Sequence, residues 1–119
     1  MLSGNLKGEG KEIYIDDKIL KELSRIFNKY PAVQKVLLFG SRARRDFKNT
    51  SDVDLAVFSE DISEREFNLL VNEIDEIDTV LSFDVVHYEK LKKDSLRESI
   101  LRDGVLVYER KNDREVKGF

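Results

Sequence analysis

Apolar and polar positions alternate along this chain with two different periods, and the switches between them mark out the elements. Ile19, Leu20, Leu23, Ile26 and Phe27 recur at spacings of three and four, which lines one face of an α-helix. Asp16 or Asp17 can cap its start, and Pro31 marks its end. Between Pro31 and Gly40 the run Val33 to Phe39, with Val36, Leu37, Leu38 and Phe39 consecutive, is too short for a helix and reads as a buried strand stopped by Gly40. Residues 52 to 58 show the two-residue period of a strand, with Val53, Leu55 and Val57 on one face and Asp52, Asp54 and Ala56 on the other. Ser63 with Glu66 three residues later is a capping-box pattern. It opens a helix through Phe67, Leu70, Val71, Ile74 and Ile77 that should end near Thr79. Phe83, Val85 and His87 alternate against Asp84, Val86 and Tyr88 in a third strand. Leu96, Ile100 and Leu101 mark a further helix with Gly104 at its C-terminal cap, and Val105 to Tyr108 reads as a fourth strand.

This order predicts one domain over residues 14–109. It lies between a flexible N-terminal segment at 1–13, with Gly4, Gly8 and Gly10 among charges, and a charged tail at 110–119. The interleaving of helices and strands predicts an α+β (α/β-like) fold with a mixed sheet of about four strands. With 40% apolar and 38% charged residues, the 119-residue chain can bury one core under a charged skin, and its length predicts no separate substrate-binding domain. Apolar runs fall well short of the roughly 18 residues of a membrane span, and residues 1–10 do not read as a signal peptide, so the expected location is the cytoplasm. Zero Cys excludes thiol chemistry and, with a single His, a structural zinc site. A net charge of −3 argues against bulk electrostatic binding of nucleic acid, though not against a local basic patch.

The segment that carries chemistry is Gly40-Ser41, ten residues, then Asp52-Val53-Asp54. Gly40 lets the backbone turn sharply and approach a ligand, and the amides of Ser41 and Arg42, opening the next short helix, suit a phosphate. Asp52 and Asp54, about 7 Å apart on one strand face, can close on a pair of hard cations, and Asp84 adds a third carboxylate from the neighbouring strand. Three like charges disfavour joint ionisation. Two Mg²⁺ ions reverse that balance and suit nucleotidyl transfer at an α-phosphorus. Asp52 and Asp54 then bridge the metals, while Asp84 holds one metal and is the candidate general base for an acceptor hydroxyl. Alone, Gly-Ser is usually a turn and Asp-x-Asp a solvated strand edge. Their combination at fixed spacing, with Asp84 in a third strand, favours chemistry, because a burial-competent strand rarely carries two Asp on one face.

Four positive charges, Arg42, Arg44, Arg45 and Lys48, follow the glycine. Arg42 and Arg44 suit triphosphate oxygens, which Arg grips bidentately, while Arg45 and Lys48 suit an acidic partner or nucleic acid. His87 reads as an ordinary strand residue facing away from Asp84, and Tyr88 as a boundary aromatic filling space rather than a base contact. Glu73, Asp75, Glu76 and Asp78 read as a solvated helix face.

The pattern resembles the DNA polymerase β-like nucleotidyltransferase superfamily, most closely its minimal nucleotidyltransferase (MNT) members, the antitoxins of HEPN/MNT toxin–antitoxin modules. The family's Gly-Ser, ten residues, Asp-x-Asp and later Asp correspond here to Gly40, Ser41, Asp52, Asp54 and Asp84, and the likeness runs from about Ile19 to Tyr108. It implies a single nucleotidyltransferase-fold domain with helices on one sheet face and the three Asp on the other. It also implies ATP as donor, two Mg²⁺ or Mn²⁺ ions on Asp52, Asp54 and Asp84, and Ser41 on the β- and γ-phosphates. The implied reaction is AMP transfer to a hydroxyl, a tyrosine, of a HEPN-domain toxin partner. One departure is Arg45, at a position that is commonly Gly. Two other function classes remain: a non-catalytic module that neutralises its partner by docking, and a small-molecule adenylyltransferase, for which the chain lacks the usual acceptor domain.

Overall fold

The computed structural model describes residues 15–40 and 52–111. Helix α1 spans Asp17–Asn28, and its cap is Asp16, whose carboxylate accepts the Lys18 amide at 3.3 Å. Strand β1 is Lys35–Phe39 and β2 is Val53–Phe58. Helix α2 is Glu64–Asp75, capped by Ser63, whose hydroxyl oxygen accepts the Glu66 amide at 3.0 Å. Strand β3 is Phe83–His87, followed by a 3₁₀ turn at Tyr88–Lys90, helix α3 at Asp94–Asp103 and strand β4 at Val105–Glu109. Several bounds differ from the periodicity: β1 starts at Lys35 rather than Val33, β2 at Val53 rather than Asp52, and β4 runs on to Glu109. Helix α2 stops at Asp75, where the Glu76 amide turns back onto the Glu73 carbonyl and the Ile77 amide onto that of Ile74, and Tyr88 leaves the third strand for the 3₁₀ turn.

The sheet order is β3-β2-β1-β4. β1 pairs antiparallel with both β2 and β4, and β2 pairs parallel with β3, so the sheet is mixed as expected. One face carries the main core: Val36 and Leu38 of β1 and Val53, Leu55 and Val57 of β2 pack under Leu23, Ile26 and Phe27 of α1 and Leu70 and Ile74 of α2. Burying such side chains stabilises the fold by about 1.5–3 kcal/mol each.

The expectation of helices on one face holds for α1 and α2 but not for α3. Ile100 and Leu96 of α3 pack on the opposite, Asp-bearing face against Leu37, Phe39, Ala56 and Phe58. The cause lies in the strands, which are apolar on both faces and would leave Leu37 and Phe39 in water without that cover. Gly104 ends α3 with a negative φ of −64°. Its need for glycine is steric, since a Cβ would overlap the Ile100 carbonyl and lie 2.9 Å from Leu37 Cδ1.

Two polar ties hold the rim of the main core. Glu73 of α2 takes the Lys29 ammonium and the Tyr30 hydroxyl, joining α2 to the end of α1. Arg110, just past β4, donates to the carbonyls of Phe27 (3.2 Å), Tyr30 (3.0 Å) and Val33 (2.9 Å). Its guanidinium thereby joins the Phe27 carbonyl in the last turn of α1, where helices leave acceptors unpaired and carry partial negative charge, to the Tyr30 and Val33 carbonyls of the segment leading into β1.

Candidate active site

β2 lies between two neighbours, and the register brings residues from both sides to its first positions. Asp54 is directly opposite Asp84 in the parallel β2–β3 pair and opposite Phe39 in the antiparallel β1–β2 pair. Register partners share a sheet face, so Asp54 and Asp84 are neighbours on the face that α3 only partly covers. Asp54 is half-buried and Asp84 is exposed. Asp52 is exposed one residue before β2, where the Val53 amide donates to the Ser82 carbonyl at 2.8 Å.

Gly40 follows Phe39 and has φ +78°, a left-handed conformation that favours glycine. A Cβ there would overlap Oδ2 of Asp54 and come within 3.1 Å of its Cγ. The close approach inferred from the glycine is therefore an approach to the Asp54 carboxylate itself. Ser41, Arg42 and Arg44, with Arg45 and Lys48, lie outside the described residues.

The three carboxylates do not form a closed ligand cage, and among the described residues no group of three or more His, Cys, Asp or Glu is gathered for a metal. The donor set nevertheless fits Mg²⁺. That ion takes oxygen ligands and usually binds through one or two carboxylates together with substrate phosphates, keeping several waters. A paired Asp54 and Asp84, with a side-chain-free backbone beside them at Gly40, leaves room for those phosphates.

The other end of the same face is built differently. Phe58 and Tyr88 stack at 4.2 Å, with Lys35 Nζ 4.9 Å from the Phe58 ring and the Arg97 guanidinium 5.0 Å from the Tyr88 ring. Tyr88 is thus a packing aromatic. His87, on the opposite face from Asp84, stacks on Phe67 and has Nε2 at 2.7 Å from the Ser59 carbonyl. A groove of about 610 Å³ between α1 and Tyr108 contains none of the three carboxylates.

The model of the family described as polymerase beta, nucleotidyltransferase, matches residues 21–113. The chain belongs to this family. This nucleotidyltransferase shares its fold with a chain of a toxin–antitoxin complex solved with AMP-PNP, at TM-score 0.61 and 21% identity over 86% of this chain and 80% of that one. A tri-AMPylated HEPN toxin in complex with an MNT antitoxin, from Shewanella oneidensis, is similar at TM-score 0.60 and 18% identity, covering 86% and 79%. An MntA–HepT toxin–antitoxin complex follows at TM-score 0.59 and 18% identity, covering 85% and 79%. No curated protein sequence matches significantly.

Pattern reading missed Glu73, whose partners Lys29 and Tyr30 lie more than forty residues away and leave no local signal. It also missed the steric link between Gly40 and Asp54. Its only trace in sequence is a glycine ending one strand while an aspartate opens the next.

Proposed function

We propose that this nucleotidyltransferase is an MNT antitoxin that transfers AMP from ATP to a tyrosine hydroxyl of a HEPN-type partner toxin. The observation that carries it is the pairing of Asp54 with Asp84 beside the bare backbone of Gly40, in a member of a nucleotidyltransferase family whose fold is shared with an MNT antitoxin solved on an AMPylated HEPN toxin. In the reaction the acceptor oxygen bonds the α-phosphorus, the bond from that phosphorus to the bridging oxygen breaks, and pyrophosphate leaves. Asp84, exposed on the edge strand, accepts the proton of the attacking hydroxyl. Asp52 and Asp54, with Asp84, are the residues that would hold Mg²⁺, which when bound stabilises charge on the phosphate oxygens. Gly40, Ser41, Arg42 and Arg44 are assigned to the nucleotide.

Radiolabelled ATP with Mg²⁺ and a co-expressed HEPN partner tests this directly. Label should pass to the partner's tyrosine, and Asp54→Asn should abolish both the transfer and rescue from toxicity. Full rescue by Asp54→Asn would favour neutralisation by docking, and absence of transfer by the wild type would refute the catalytic reading.

A further inference from the structure

β3 carries Asp84 and is the last strand of the sheet; among the described residues it pairs only with β2. Its sequence, Phe-Asp-Val-Val-His, has none of the lysines or prolines and its pairing none of the bulges that commonly protect an edge strand. An open edge of this kind accepts an added extended segment through main-chain hydrogen bonds. The same strand leads into a run of cations. Lys90, Lys92 and Lys93 are exposed, and among the described residues none of them is in an ion pair. Glu89 between them and the strand is engaged elsewhere, accepting the Ser59 amide at 3.0 Å, while Asp94 and Glu98 of α3 are the other acids of this stretch. Arg97 beside them keeps its guanidinium on Tyr88 and the Leu91 carbonyl.

We propose that the acceptor docks as an extended acidic segment along the open edge of β3, its hydroxyl at Asp84 and its acidic residues on Lys90, Lys92 and Lys93. This rests on the reading of the chain as a protein nucleotidyltransferase and adds what its acceptor must look like. From Asp84 to the end of β3 is about 10 Å at roughly 3.3 Å per residue, and the 3₁₀ turn adds about 6 Å at roughly 2 Å per residue. An extended acceptor covers that distance in about five residues. The faces of Phe58 and Tyr88 are already occupied by each other and by Lys35 and Arg97, so this end offers charge rather than a platform for stacking bases.

The test uses the full chain and fluorescent synthetic peptides that hold one tyrosine and a block of three glutamates, placed about five or about fifteen residues away. Binding is read by anisotropy on the Asp52→Asn protein, and AMP transfer on the wild type. The five-residue spacing should bind about tenfold tighter than the fifteen-residue spacing, as should the glutamate block over a lysine block, from exposed ion pairs each of modest strength. Lys90→Gln/Lys92→Gln/Lys93→Gln should erase the preference with an unchanged melting temperature. N-methylation of alternate backbone amides beside the tyrosine should weaken binding although every charge remains. Equal binding at both spacings, insensitivity to the triple variant or to N-methylation, or equally tight binding of oligouridylate would overturn the proposal. Spacing-dependent binding without any transfer would instead sink the catalytic reading and leave the docking surface standing.

Discussion

Gly40→Ala separates the two constraints that meet at that residue. The first is conformational: at φ +78° an alanine pays the left-handed penalty of roughly 1–2 kcal/mol. The second is steric, because the new Cβ would overlap Asp54 Oδ2 and lie 3.1 Å from its Cγ, so the carboxylate must swing away. Forcing Asp54 off its rotamer costs roughly another 0.5–1.5 kcal/mol. The sum, about 2.5 kcal/mol, corresponds to a fall in melting temperature of roughly 10 °C for a domain of this size. Urea unfolding of wild type, Gly40→Ala, Asp54→Ala and the double variant distinguishes the terms. In the Asp54→Ala background only the conformational part should remain, so the cycle should show a coupling of about 1 kcal/mol. A swung carboxylate should also lower AMP transfer by about 100-fold, since a displacement near 1 Å in a catalytic group has that order of effect. If Gly40→Ala costs the same in both backgrounds, or leaves transfer intact, Gly40 does not position Asp54.

Four further outcomes can be measured on the same protein. Arg110→Ala removes three hydrogen bonds from a guanidinium to carbonyls in the last turn of α1 and the segment after it and should cost about 2 kcal/mol in chemical denaturation, with Arg110→Lys restoring less than half. Hydrogen bonds from Lys29 and then Tyr30 hold the Glu73 carboxyl below its usual value of 4.5. That contribution to stability is therefore present above about pH 4.5 and lost as pH falls through the lowered value, and Glu73→Gln should flatten the acid limb of a stability-against-pH profile. Burial, then the hydrogen bond to Glu73, pushes the Tyr30 hydroxyl from 10.0 up to about 12, so its contribution holds below pH 10 and fades between pH 10 and 12; Tyr30→Phe should remove that alkaline loss. Finally, Mg²⁺ should raise the melting temperature of the wild type, and Asp52→Asn should abolish most of the rise while leaving the metal-free protein equally or more stable; a metal-insensitive wild type would contradict the assigned ligands.

Much of the fold was legible because each element has its own period. The stripe of helix α1 buries Ile19, Leu23, Ile26 and Phe27 and half-buries Leu20; of the two candidate caps Asp16 and Asp17 it is Asp16 that accepts an amide, and Ser63 caps α2 as expected. The placement of α3 was less legible for a physical reason. Its apolar stripe is short, with Leu101 left 58% exposed, so the helix by itself does not say which face it covers. The strands say it instead, since four consecutive apolar residues from Val36 to Phe39 need cover on both sides of the sheet. Glu73 reads in sequence as part of a solvated helix face and Arg110 as part of a charged tail, because nothing local marks a side chain whose partners come from a different element.

The candidate site was legible as residues but not as an arrangement, and topology supplies the difference. Because β1 and β2 run antiparallel, the end of β1 abuts the start of β2, which sets Gly40 against Asp54 across a loop of any path. Because β2 and β3 run parallel, their starts lie together, which sets Asp84 beside Asp54. Were β3 antiparallel to β2 with Phe83 opposite Phe58, Asp84, second in its strand, would fall opposite Val57, about 10 Å from Asp54 at roughly 3.3 Å per residue. The mixed sheet is thus what turns a glycine and separated aspartates into one site. The parallel pair also requires a crossover between β2 and β3, which α2 provides, so the helix that closes the main core is the same one that brings Asp84 to its place.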